Sequence, residues 1–148
     1  MAEPRGAAQR KADVLAKLRE DVDLWVASAT AGGDAYLIPL SFYWDGAALV
    51  MATPAGSRTT RNLRRTGRAR VALGPTRDVV IVEGPVEFVA GDAVGALGDA
   101  HAAATGFDAR REPQEYVYIR LTPARIQAWR EANELAGREV MRDGRWLA

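Results

Sequence analysis

The 148-residue sequence has no cysteine and one histidine, His101. The first absence removes disulfides, thiolate nucleophiles, iron–sulfur clusters and every cysteine-based zinc site. The second leaves no set of imidazoles to hold a metal, so none is expected. No G-x-G-x-x-G and no Walker A pattern occurs, so a Rossmann or P-loop nucleotide site has no support. No apolar run is long enough to span a bilayer, and the polar start, Met1 to Arg10, lacks the apolar core of a signal peptide. The expectation is a soluble cytoplasmic protein without a membrane partner. Lysine is nearly missing, with Lys11 and Lys17 the only two among 20 basic residues. The most informative scarcity is of carboxylates. From Gly46 to Arg77 there is no Asp or Glu, while Arg58, Arg61, Arg64, Arg65, Arg68, Arg70 and Arg77 fill the stretch. The formal net charge of +1 therefore conceals a +7 segment and a −6 remainder.

The length fits one domain, residues 1–148, large enough to bury a core without covalent staples. Residues 1–8 read as a frayed end. Residues 9–20 read as an amphipathic helix, with Val14, Leu15 and Leu18 at helical spacing. The period then changes. Leu24 to Thr30 reads as a strand, Gly32-Gly33-Asp34 as a turn and Tyr36 to Trp44 as the partner strand. Asp45-Gly46 marks a two-residue hairpin into Ala48 to Thr53. Pro39 cannot donate to a ladder, which puts its strand at an edge or bulge. Arg70 to Leu73, Val79 to Val89, Glu115 to Leu121 and Arg125 to Trp129 are further strands, and Gly84-Pro85 bends the second of them. Asp92 to Thr105 is an Ala-rich helix. About six antiparallel strands with few helices point to a small barrel or half-open sandwich, mainly β with flanking helices.

The segment Gly56 to Gly67, GSRTTRNLRRTG, carries the chemistry. From Ser57 to Thr66 its only apolar residue is Leu63, so burial of an apolar stripe does not account for a helix there. Ser57 is placed as N-cap, and the first turn offers free N–H groups, the hydroxyls of Thr59 and Thr60, and the guanidinium groups of Arg58 and Arg61. With the amide of Asn62, that set suits a phosphate. A solvated Arg-rich surface helix is the alternative; the position at the mouth of the expected barrel favours the phosphate. A nucleic-acid surface is disfavoured, since Tyr36, Phe42, Tyr43 and Trp44 are not interleaved with the arginines. Glu83 and Glu87 share a strand face and read as solvated, and His101 reads as an ordinary surface histidine. Trp129 and Trp146 belong either to the core or to a contact with a second subunit.

The run YLIPLSFYWDG, a strand ending ATP, and then SRTTRNLRRTGRARV resemble the pyridoxamine phosphate oxidase-like split β-barrel family of flavin and deazaflavin oxidoreductases. The resemblance covers about Leu24 to Val89, with looser support from RIQAWR around Trp129. It implies a homodimeric six-stranded split barrel with two equivalent cofactor sites at the dimer interface. FMN is the implied cofactor, with a deazaflavin coenzyme as the alternative and a small organic molecule as substrate. The cofactor phosphate would meet Ser57, Arg58, Thr59, Thr60, Arg61 and Asn62. The ring would lie against Pro39, Leu40 and Ser41 and near Thr53, and Trp129 of the other subunit would close the pocket. Many relatives carry Lys where this chain has Thr59. The histidine-bearing C-terminal substrate pattern of true pyridoxamine phosphate oxidases is missing, since no histidine follows His101. A bound flavin carries its own redox chemistry, so no catalytic side chain can be named. A non-catalytic binder of flavin, haem or a tetrapyrrole would share the same features.

Overall fold

A computed structural model of the protein describes residues 2–148; Met1, part of the end expected to fray, lies outside them. Helix α1 (Ala7–Glu20) starts two residues earlier than its periodicity marks and buries Val14 and Leu18, each contributing about 1.5–3 kcal/mol by removal from water. Ahead of it, Arg5 is tied down. Its backbone N–H and guanidinium donate to the Glu134 carboxylate at 2.8–2.9 Å, and the guanidinium also reaches Asp13 at 2.9 Å. Arg10 is buried, donating to the carbonyl oxygens of Ala128, Glu134 and Gly137. These partners lie more than 110 positions away, so neighbouring residues gave no sign of them.

This clamp has a pH signature. The Arg5 guanidinium holds the Glu134 carboxyl at about 2, below its ordinary 4.5. A depressed folded value means the ionised pair stabilises fully above about pH 4.5 and ceases to do so as the pH falls toward 2. The melting temperature of Glu134→Gln should therefore lie below that of the native protein at pH 7, and the gap should close near pH 2. Thermal melts of both proteins across that range check it.

Six strands close a barrel in the order β1 (Asp23–Ala29), β2 (Ala35–Trp44), β3 (Leu49–Pro54), β6 (Tyr116–Leu121), β5 (Val79–Ala90), β4 (Arg68–Leu73), and β4 returns to β1. All these pairings are antiparallel. β2 pairs with β1 through residues 35–41 and with β3 only from Phe42 to Trp44, so Pro39 lies where one side of the strand is an edge. β5 pairs with β4 through Pro85 and with β6 from Val86 onward, turning at the expected Gly84-Pro85 bend. Its first half also pairs with β7 (Arg125–Trp129), which continues into β8 (Glu139–Arg142) and β9 (Arg145–Trp146).

The last two strands were not foreseen. The turn between them, Asp143-Gly144, has φ of 51° and 75°, the positive pair that a two-residue hairpin needs. That geometry was expected at Asp45-Gly46, where only Gly46 has positive φ. There Asp45 Oδ1 instead accepts the N–H groups of Ala47 and Ala48 and rounds a longer turn.

β3 is buried on both faces. Leu49 and Met51 point into the barrel core with Val26, Val82 and Ile119, while Val50 and Ala52 join Val94, Ala109 and Tyr118 in a second cluster. Helix α3 (Ala96–Thr105) packs against β2 beside that cluster. His101 is not at the surface but 1% exposed, edge-on to the Tyr118 ring. Glu83 is not solvated either, since it pairs with both Arg70 and Arg125. Among the described residues, no helix is long and apolar enough to cross a membrane.

Candidate functional site

The chain leaves β3 at Pro54, turns through a Ser57 N–H to Pro54 carbonyl bond, and enters α2 (Arg58–Thr66) capped by Ser57. A line of hydroxyls fixes this corner. Thr60 Oγ1 donates to the Pro54 carbonyl at 2.8 Å. With its one proton spent there, Thr60 must accept from Ser57 at 3.1 Å, and Ser57 then accepts from Thr53 at 3.3 Å and from the Thr60 N–H at 3.1 Å. Ser57, Thr60 and Thr53 thus shape the helix start and have little capacity left for a ligand. Ser57→Ala should lower stability by about 1 kcal/mol through loss of the cap, read as a shift in the denaturant midpoint at unchanged slope.

Leu63 is buried as the lone apolar anchor of α2, joined by the buried Thr59, Thr60 and Asn62. Asn62 Nδ2 donates to Ser28 Oγ at 3.0 Å, and Arg65 donates to the Ala29 carbonyl at 2.7 Å, so polar bonds to β1 hold the helix that its apolar content does not. Its outward first turn is free for other work. The N–H groups of Arg58 and Thr59 meet no acceptor among the described residues. Arg58, Arg61 and Asn62 line a pocket of about 290 Å³ with Thr30, Asp34 and Tyr36, and the Arg58 guanidinium sits 5.8 Å from the Tyr36 ring centre. Arg61 also donates to the Gly56 carbonyl, which holds its guanidinium beside the turn. Asp34 is the one carboxylate on the rim.

The basic stretch now divides. Arg70 pairs with Glu83 and Arg77 with Glu131, whereas Arg58, Arg61, Arg64, Arg65 and Arg68 have no carboxylate partner among the described residues. Arg64 lies over the Phe88 ring at 4.2 Å.

The other expected site residues lie apart from this pocket within one chain. Pro39 lines a groove with Trp25 and Ala72, Ser41 Oγ donates to Asp23 at 2.9 Å, and Leu40 packs against the barrel core. Trp129 is on β7 opposite Val79, with Arg138 over its ring. Tyr36 was missed; its only signal was an aromatic residue at a strand start directly after a glycine turn.

Comparison with known proteins finds the same fold in solved structures. The haem binding protein from Mycobacterium smegmatis superposes with a TM-score of 0.69 at 20% identity, over 97% of this chain and 60% of that one. An F420 reductase matches with a TM-score of 0.63 at 18% identity, covering 75% of this chain and 93% of that one. A pyridoxamine 5'-phosphate oxidase-related, FMN binding protein from Nostoc punctiforme gives 0.55 at 13% identity, with coverages of 82% and 78%. No curated protein matches the sequence. The family model for pyridoxamine 5'-phosphate oxidase matches residues 11–130, a span that takes in the whole closed barrel, α2 with its arginines, and β7. On that match the chain belongs to the pyridoxamine 5'-phosphate oxidase family.

Proposed function

We propose that the protein is a cytoplasmic, homodimeric FMN-dependent oxidoreductase that exchanges a hydride between the flavin and a small organic substrate. The observation carrying this reading is the pocket at the start of α2, lined by Arg58 and Arg61, two guanidinium groups without carboxylate partners, beside a first turn whose Arg58 and Thr59 N–H groups meet no acceptor among the described residues. A phosphate monoester suits that donor set in charge and in hydrogen-bond direction. Thr59 is buried, so the charge that a lysine would bring there falls to Arg58 and Arg61. The flavin, when bound, supplies the redox chemistry. The chain's part is to fix the phosphate, to present β2 as a wall and to keep water out.

The dimer rests on a second observation. Trp25 and Leu37 are 51% and 58% exposed, and they share the outer face of β1 and β2 with Pro39, the register partner of Trp25. A contiguous apolar strip of this kind is suited to burial against a second copy. In this reading the second copy brings its Trp129 over the cofactor ring, and β2 at Pro39, Leu40 and Ser41, outside the phosphate pocket of a single chain, forms the ring's other wall.

A deazaflavin coenzyme is the second reading. Arg58, Arg61 and Arg65 recur at intervals of three and four along α2, which sets them on one side of the helix, and Arg68 follows at the start of β4, so that basic groups continue away from the pocket for a longer anionic tail. The visible spectrum of the purified protein, followed by titration with FMN and the deazaflavin coenzyme, tests both. Oxidised-flavin bands with saturable FMN binding are expected; a single violet band favours the second reading. A Soret band identifies a haem or tetrapyrrole binder, and binding of none of these overturns the assignment.

A further inference from the structure

On another side of the barrel, a cavity of about 530 Å³ opens between the end of β5, the loop before β6 and β6 itself. It shares no lining residue with the pocket at α2. Tyr118 lines it, is 1% exposed, and has a hydroxyl with no hydrogen-bond partner. The ring of His101 stands edge-on at 5.5 Å outside the cavity, with the Ser41 backbone as a hydrogen-bonding neighbour. Burial lowers the His101 pKa, which keeps the imidazole neutral near pH 7. Leaving the Tyr118 hydroxyl unsatisfied costs free energy, which a polar group entering the cavity would recover.

The rim states the visitor's charge. Asp92, Glu112 and Glu115 line the cavity without an ion-pair partner among the described residues. The one cation there, Arg110, is already held by Asp99 and Asp108 at 2.8–2.9 Å. The walls are aromatic and apolar, with Tyr116, Ala90, Ala109 and Pro113, and Phe107 is packed 5.7 Å from the Tyr116 ring. Three free carboxylates around tyrosine rings attract a cation and repel an anion. We propose that this cavity is a second ligand site that takes a small aromatic or alkyl ammonium ion, with the Tyr118 hydroxyl hydrogen-bonding its polar end.

The test is a protein-observed NMR titration with phenethylammonium, phenylacetate and 2-phenylethanol as probes. Phenethylammonium should saturate shifts of the backbone amides of residues 110–118 and bind at least tenfold more tightly than phenylacetate. Tyr118→Phe, which keeps the ring, should weaken it about fivefold, and Glu112→Gln with Glu115→Gln should weaken it at least as much while leaving 2-phenylethanol unaffected. Arg58→Ala should leave this binding unchanged, so failure of the cofactor assignment and failure of this one are separable. Equal binding of the anion, no shift at residues 110–118, or unchanged affinity in Tyr118→Phe would overturn the proposal; the last result would mark the unpaired hydroxyl as the seat of a structural water.

Discussion

FMN is expected to bind Arg58→Ala and Arg61→Ala about ten- to a hundredfold more weakly than the native protein, as measured by flavin fluorescence titration. Each substitution removes a charge-assisted hydrogen bond to the phosphate, worth about 1.5–3 kcal/mol. Arg61 should show the larger loss, because its bond to the Gly56 carbonyl already holds the guanidinium at the turn. Arg58 is placed over Tyr36 and must give up part of that contact to reach a ligand. Arg68→Ala serves as the comparison. It stands past the end of α2, at the first residue of β4, and does not line the pocket that Arg58 and Arg61 share. Unchanged FMN affinity in Arg68→Ala with weakened deazaflavin affinity is the expected pattern, since only the longer anionic tail reaches that far. Native affinity in both Arg58→Ala and Arg61→Ala would remove the phosphate assignment.

Gly84→Ala should be the most damaging single substitution to the fold. A Cβ at this position would lie 1.9 Å from the Thr122 carbonyl oxygen and 3.0 Å from the Ala124 nitrogen, both of them backbone atoms that cannot swing aside. The crowding is built into the barrel. β5 leaves β4 and joins β6 at this residue, and the bonds from Ala124 N–H to the Glu83 carbonyl and from Thr122 N–H to the Pro85 carbonyl draw the β6–β7 connection onto the bend. Relieving the clash breaks those bonds or shifts the strand, at a cost of about 3 kcal/mol or more. For a chain of this size that corresponds to a fall in melting temperature of about 6–12 °C. Gly46→Ala is the natural comparison. Nothing lies within 4 Å of its added Cβ, so only the positive φ of 95° resists it and the loss should be far smaller.

Local signals read the barrel well. Alternation, turn glycines and the Pro39 edge rule located β1 to β7, because each depends on residues within a few positions. Ser57 announced α2 by its capping chemistry, and the scarcity of apolar residues in that helix correctly marked it as held by something other than a hydrophobic stripe. The Thr60 and Asn62 bonds that hold it are long-range or depend on rotamers, and the sequence shows only that the residue types are able to make them. The hydroxyls of Ser57 and Thr60 looked available for a ligand and are committed to one another. His101 looked exposed because an Ala-rich helix hides which of its faces will pack; only the arrival of Tyr118 on β6 settles that. The β8–β9 hairpin was legible in Asp143-Gly144, yet its strands, of four and two residues, are too short to show a period. The Arg5–Glu134 clamp depends on 129 positions of intervening chain returning to one place, which no window reveals.

In the proposed complex the first turn of α2 holds the phosphate of a bound flavin, and a crystal structure of the protein with FMN decides whether it does. The expected result places the phosphate oxygens within hydrogen-bond distance of the Arg58 and Thr59 N–H groups and of the Arg58 and Arg61 guanidiniums, with Trp129 of a second copy over the ring. FMN found with its phosphate elsewhere, and that helix turn left facing solvent, would contradict it.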